Sequence, residues 1–310
     1  MVCSTEFESA TFGFGGQHSI QLSYEHKTVL FYMVCYNFSM HKNIKNIKLI
    51  VVDIDNTIIP AGSQSISGRL KGDFHKAIDK GIKVMVNTGR HYTFLQPSLF
   101  NDLPMEYIGT INGACVTDRF GNILEKHPMK KEHMEVIADI CLKNDIGLGF
   151  KFEDRIVTYA NHQKFMDGYV QKGAPWEKSV IDDTQKREHH LQHGYPLGTF
   201  LIGDESIIEA FSNQIPELQF AWSFRNGFDV FLKDINKATS VERVLKEYQL
   251  TWDNVIAFGD AGNDIAFIDK AYIGVALGNA KDDLKKHADI IAEDCKDDGV
   301  AKTLENLGII

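Results

Sequence analysis

From Leu49 onward the chain alternates short β-branched apolar runs with stretches at helical spacing, the pattern of a parallel sheet covered on both faces. Leu49-Ile-Val-Val52 ends at Asp53, Lys83-Val-Met-Val86 ends at Asn87-Thr-Gly89, and Tyr107-Ile-Gly-Thr-Ile111 ends at Asn112-Gly113. Two further runs come late: Val255-Ile-Ala-Phe258 ends at Gly259-Asp260, and Ile273-Gly-Val-Ala276 precedes Leu277-Gly278. Between the first two runs Leu70, Phe74 and Ile78 recur at helical spacing, as do Val241, Val244, Leu245 and Tyr248 before the fourth, which predicts covering helices. The fold class read from this pattern is α/β, a doubly wound parallel-sheet core. In open sheets of this kind ligands bind beyond the carboxyl ends of the strands, so the polar residues there are the site candidates.

The alternation stops at about residue 120. A turn at Asp118-Arg-Phe-Gly121, a helix from Lys131 to Lys143, short apolar runs and a polar stretch near 182–193 follow. They read as an inserted α+β domain closed by the run Phe228-Asp-Val-Phe-Leu232, after which Lys237 and its helix return the chain to the first domain. The expected division is 46–119 plus 234–310 for the core and 120–233 for the insert. Residues 1–45 show no sustained period, and Met40 precedes Lys42, Lys45 and Lys48 just before the first strand. An ordered extension, a disordered leader and upstream sequence ahead of a start at Met40 all fit that segment.

Composition narrows the class. With 310 residues, 44% hydrophobic and 24% charged, the chain is typical of soluble globular proteins and long enough for two domains. A net charge of -9 gives no general attraction for nucleic acid or anionic lipid, so neither is an expected partner. Cys3, Cys35, Cys115, Cys141 and Cys295 form no CxxC pair, which fits a reducing, cytoplasmic setting better than a disulfide framework. The apolar stretch 29–36 is too short to span a bilayer and lacks the flanks of a signal peptide.

Chemistry concentrates at the strand ends. Asp53 and Asp55, two apart after a buried strand, share a face if the strand continues, although such a pair also makes turns or caps helices. Asn87-Thr88-Gly89-Arg90 can bring a hydroxyl, backbone N–H groups and a cation to one anion, and a strand-to-helix turn uses the same residues. Lys237 alone reads as a surface lysine. In Gly259-Asp260-Ala-Gly262-Asn263-Asp264 two carboxylates flank Gly and Asn after a buried strand, a hard oxygen set suited to Mg²⁺ and also to a capping turn.

Taken in order, these segments resemble the four motifs of the haloacid dehalogenase (HAD) superfamily, and among its members the Cof-type phosphatases with a class IIB cap. The resemblance runs from about 47 to 310 and implies a Rossmann-like core with an inserted α+β cap. It implies Asp53 as nucleophile, Asp55 as general acid/base, and Thr88, Gly89, Arg90, Lys237 and Asn263 around the phosphate. It further implies Mg²⁺ held by Asp53, Asp260, Asp264 and the backbone carbonyl of Asp55. Asn56 stands where the family commonly has glycine, and Asn tolerates the same left-handed backbone; Ala261 and Ala238 replace further glycines without removing a reacting group.

The expected activity is therefore Mg²⁺-dependent hydrolysis of small phosphorylated metabolites, sugar phosphates or phosphorylated cofactors, through an aspartyl-phosphate. A phosphomutase or phosphotransferase using the same intermediate, and a non-catalytic binding protein of the same fold, are the alternatives. A monomer or weak homodimer is expected. Arg90 and Asn112 sit at strand ends facing one mouth. In the insert Lys151, Tyr159, Arg225 and Asn226 are potential contacts but read as surface residues. His189, His190 and His193 show no acidic or cysteine ligand spacing and read as a polar loop rather than a metal site.

Overall fold

Among the described residues the strands form two sheets. In chain order β1 (Leu49–Val52), β2 (Lys83–Asn87), β3 (Tyr107–Thr110), β4 (Cys115–Asp118) and β5 (Ile123–Lys126) build one side of the first sheet. The second sheet holds β6 (Gly147–Lys151), β7 (Ile156–Ala160), β8 (Val180–Asp182), β9 (Gly198–Ile202), β10 (Leu218–Trp222) and β11 (Gly227–Leu232). The chain then returns to the first sheet as β12 (Val255–Gly259), β13 (Ile273–Ala276) and β14 (Ile290–Ile291). The computed structural model describes residues 43–170, 173–223 and 226–310; the expectations for 1–42 and for Arg225 lie outside the described residues.

β1 is central because every residue in it is apolar and fully buried. It pairs in parallel with β2 on one side and β12 on the other. Its alternate side chains enter two different cores: Ile50 and Val52 pack under α1 (Gly68–Asp79), with Leu70, Phe74 and Ala77. Leu49 and Val51 pack against Val241, Val244 and Leu245 of the later helix α4 (Lys237–Tyr248). The N-terminus of α1 is fixed by Ser67, whose Oγ accepts from the Leu70 amide at 3.1 Å, the usual service of a serine N-cap.

The order of the first sheet is β14-β13-β12-β1-β2-β3-β4-β5. Crossovers run outward in both directions from β1, so the switch point lies between β1 and β12, where a ligand crevice is expected. The turn Asp118-Arg-Phe-Gly121, expected to open the insert, instead joins β4 to β5 antiparallel within the first sheet. Sequence pattern hid this because β5 is short and mostly exposed, with no buried face to alternate.

The second sheet is antiparallel except for the β7–β8 pair, in the order β10-β11-β9-β6-β7-β8. α2 (Lys131–Lys143) and α3 (Glu205–Ser212) cover one face through Met134, Ile137, Cys141, Ile208 and Phe211. The other face, with Ile156, Phe165, Phe200 and Ile202, packs on Phe94 from the first sheet's loops. This face lies over the strand ends. α4 (Lys237–Tyr248) then leads back to β12, and α5 (Gly299–Asn306) packs beside α1. Cys115, Cys141 and Cys295 are buried free thiols, and no helix among the described residues is long and apolar enough to cross a membrane.

Candidate active site

Asp53 follows β1 directly, and its amide still donates to the Phe258 carbonyl of β12 at 3.2 Å. The strand pairing thus extends to the residue that carries the carboxylate. Lys237 Nζ donates to Asp53 Oδ1 and to Asp264 Oδ1, both at 2.6 Å. Far from being a surface lysine, Lys237 is 1% exposed. It opens α4, whose N-cap Asn236 accepts from the Ala238 amide at 2.9 Å. The Lys237 carbonyl accepts from Asn87 Nδ2, and Ser240 Oγ bonds both Asn87 and that carbonyl at 2.8 Å. In the sequence Asn87 reads only as the start of the strand-end segment 87–90, and Ser240 carries no signal beyond its place one helical turn after the lysine.

Asp260 and Asp264 come from the loop after β12. Asp264 Oδ2 accepts the amides of Asp260 (2.9 Å) and Ala261 (3.0 Å), so this residue shapes the loop with one oxygen and grips Lys237 with the other. Asp260 Oδ1 accepts from Thr57 Oγ1 at 3.3 Å. Oxygens of Asp53, Asp260 and Asp264 lie within 4.8 Å of one another. Three carboxylates facing one ammonium leave two negative charges uncompensated. Burial pushes the Asp53 carboxyl well above the ordinary range, Lys237 opposes this, and Asp264 and Asp260 add to it. Burial and Asp264 likewise raise Asp260 to about 7. Burial works against the Lys237 charge, yet Asp264 and Asp53 hold its proton affinity above the ordinary value. An all-oxygen cluster short of two positive charges fits one hard divalent cation such as Mg²⁺. Asp53 and Asp260 each retain an oxygen outside these hydrogen bonds, whereas Asp264 would have to exchange one.

Asn56 adopts φ 57°, the left-handed turn expected of it, and folds the chain back so that Asp55 bridges to Ile59. Asp55 is 52% exposed in its side chain and is held by Arg90, from Nε at 2.8 Å and Nη2 at 2.6 Å. Arg90 also donates to the Phe94 carbonyl at 3.0 Å and lies over the Trp176 ring of the second sheet's loops, 5.4 Å from its centroid. Trp176 carried no sequence signal.

Thr88 is buried, and its Oγ1 accepts from the Arg90 amide at 3.2 Å. Gly89 sits so close to Asn112 that a Cβ there would stand 2.9 Å from Asn112 Oδ1. That oxygen accepts from Asn263 Nδ2 at 2.9 Å, joining two of the segments. Next to it Gly113, at φ 95°, passes against Asn236, where a Cβ would meet the carbonyl oxygen at 1.9 Å; only glycine allows Lys237 its position.

The second sheet reaches the same loops. Lys151, 1% exposed rather than on the surface, pairs with Asp229 Oδ1 at 2.5 Å and donates to the Gly89 carbonyl at 3.1 Å. His91, next to Arg90, is buried and its Nε2 bonds the Phe152 carbonyl at 2.7 Å. Burial, with Lys151 nearby, lowers the His91 proton affinity to about 4. Tyr159 belongs to the apolar core beneath α2 instead of the mouth, and Asn226 is exposed with φ 59°.

Comparison with known proteins points the same way. The sequence model of the haloacid dehalogenase-like hydrolase family matches residues 50–304. A 5-amino-6-(5-phospho-D-ribitylamino)uracil phosphatase of Bacillus subtilis is 27% identical over 268 residues, 86% of this chain and 98% of its own. An HMP-PP phosphatase of Yersinia pseudotuberculosis is 24% identical over 266 residues, 84% and 94% of the two chains. Among solved structures, a HAD-superfamily phosphatase from Bacteroides thetaiotaomicron has TM-score 0.74 at 22% identity, covering 85% of this chain and 96% of its own.

Proposed function

Because the chain belongs to the haloacid dehalogenase-like hydrolases of Cof type and is a hydrolase of phosphate esters, we propose that it is a Mg²⁺-dependent phosphatase of small phosphorylated metabolites with Asp53 as nucleophile. The observation that carries this reading is the buried Lys237 ammonium shared between Asp53 and Asp264 at 2.6 Å each, beside a third carboxylate. A binding protein has no use for so costly a concentration of buried charge. The similarity to phosphatases of a ribitylaminouracil phosphate and of HMP-PP supports small metabolites as the substrate class.

In this mechanism an Asp53 carboxylate oxygen attacks phosphorus, the P–O bond to the alcohol breaks, and the departing oxygen takes a proton from Asp55. Water then attacks phosphorus, gives its proton to Asp55, and inorganic phosphate leaves as the P–O bond to Asp53 breaks. Lys237 and the Thr88 hydroxyl hold non-bridging oxygens, and Asn263, anchored on Asn112, orients the loop that carries Asp260. Mg²⁺ on Asp53, Asp260 and the Asp55 carbonyl would supply charge neutralisation and alignment. Asp264 serves chiefly by fixing Lys237 and the two loop amides. For delivery of the proton, Asp55 must exchange Arg90 for the leaving-group oxygen. The second sheet acts as the cap: Lys151, His91 and Trp176 join it to the loops around the phosphate, where it excludes water and meets the leaving group.

Release of inorganic phosphate from a broad metabolite panel, with and without Mg²⁺ and compared by kcat/KM, tests the reading. Metal-dependent release without isomer formation is the expected result. Activity that survives both metal removal and Asp53→Asn would refute it.

A further inference from the structure

The histidine segment of the insert is not the isolated polar loop that its sequence suggests. His190–His193 forms a helical turn extended backwards by His189, whose carbonyl accepts the His193 amide at 3.1 Å. His189 and His193 therefore project one turn apart on the same side, with rings stacked at 4.0 Å between centroids and 5° between planes. The turn after β6 brings Asp154 to both: His189 Nε2 lies 3.1 Å from Asp154 Oδ1, and His193 Nδ1 lies 3.7 Å from Asp154 Oδ2. Sequence spacing concealed this because Asp154 and His189 are 35 positions apart.

We propose that Asp154, His189 and His193 form a second metal site, for a borderline transition-metal ion such as Zn²⁺, separate from the carboxylate cluster at Asp53. Ligands of a tetrahedral ion with bonds of about 2.1 Å stand about 3.4 Å apart, and the two nitrogen-to-oxygen spacings here bracket that length. Two imidazole nitrogens and one carboxylate favour Zn²⁺ and its neighbours over Mg²⁺, which prefers oxygen and water. The donors are held in place before any ion arrives. Asp183 Oδ2 accepts the amides of Glu188 and His189 at 2.8 and 2.9 Å, and the Phe152 ring packs edge-on against His189. Arg155 Nε also donates to Asp154 Oδ2 at 2.6 Å; its side chain is 43% exposed and can turn to water, leaving that oxygen to the ion. His193, 37% exposed, leaves room for a water as fourth ligand.

The site would tie the β6–β7 turn to the 183–193 segment, and through the Phe152 carbonyl, which accepts His91, to the loop carrying Arg90. Calorimetric titration with Zn²⁺ in excess Mg²⁺ tests it, using wild type, His193→Gln, Asp154→Asn and Asp260→Asn. One equivalent is expected in wild type and in Asp260→Asn, with affinity lower by about 100-fold or more in the other two variants. Zn²⁺ should raise the melting temperature of wild type and not of His193→Gln. Circular dichroism of the metal-free variants checks that each is folded, and agreement between the two ligand variants guards against a local packing effect. Equal uptake by wild type and both folded ligand variants, uptake lost only in Asp260→Asn, or no uptake in wild type would overturn the proposal.

Discussion

Arg90 clasps the carboxylate of Asp55 with two parallel hydrogen bonds, 2.8 and 2.6 Å long, while its other face lies against Trp176. The side chain proposed to move protons is thus held by a residue that also touches the insert. A forked guanidinium grips a carboxylate in one orientation, which an ammonium cannot do. Arg90→Lys should lower kcat roughly tenfold or more and alter the pH–rate profile, with a smaller change in KM. A raised KM with unchanged kcat and profile would assign Arg90 to substrate binding alone.

Asp53→Asn removes one negative charge from a buried cluster that has too many. Turnover should fall by about 10⁴-fold or more, while the metal-free variant melts at or above the wild-type temperature. Added Mg²⁺ should stabilise it less than it stabilises wild type. Differential scanning calorimetry with chelator and with Mg²⁺, beside phosphate release, measures all of this. A large loss of stability in the metal-free variant would contradict the excess of charge.

Lys237→Met has the opposite character, since it strips the ammonium from between Asp53 and Asp264 and leaves both carboxylates buried. Urea unfolding without metal should register a loss of about 3–5 kcal/mol. Adding Asp53→Asn to Lys237→Met should restore part of it, because the two residues share one interaction. Independent, additive effects would mean that the pair is not coupled.

Protonation of His91 connects the insert to pH. Burial lowers its proton affinity from the ordinary 6.5 to about 4, so between these values the unfolded chain binds a proton that the folded chain refuses. Stability from this group is complete above pH 6.5 and declines as pH falls toward 4, by roughly 3 kcal/mol across the window. His91→Gln, which keeps a donor for the Phe152 carbonyl, should flatten that part of the curve of unfolding free energy against pH. An unchanged slope would show that other groups set it.

How much of this the sequence disclosed depended on whether a residue's role was local. Asp53, Asn87 and Asp260 announce themselves because each terminates an unbroken apolar run, and burial of both faces of a parallel strand forces that pattern. The helical spacing of Leu70 and Phe74 is equally legible, since α1 has one buried side. The burial of Lys237 is not: it depends on Gly113 and Asn87, brought to it from the first sheet, as well as on Ser240 of its own helix. Asp154 stands apart in sequence from the histidines it meets. Lys151 reads as a surface residue because nothing nearby in sequence shows that Asp229 will neutralise it. The β4–β5 hairpin escaped because its outer strand buries little.

The central position of β1 governs how the molecule must be assembled. Its partner β12 lies beyond the whole second sheet, and Thr57 and Asp260, which meet at the site, are 203 positions apart. On the ribosome the strands of the second sheet, from Gly147 to Leu232, emerge before β12 and can complete their own pairing while β1 waits for that partner. Once they do, residues on either side of them are drawn together: Ile235, after the last of these strands, packs on Ala114 and Cys115, which come before the first. The long gap between β1 and β12 is then spanned by a folded body rather than loose chain, which reduces the entropy of closing it. A chain lacking the insert, or unable to fold it, should therefore renature slowly and expose the β12 side of β1 to aggregation.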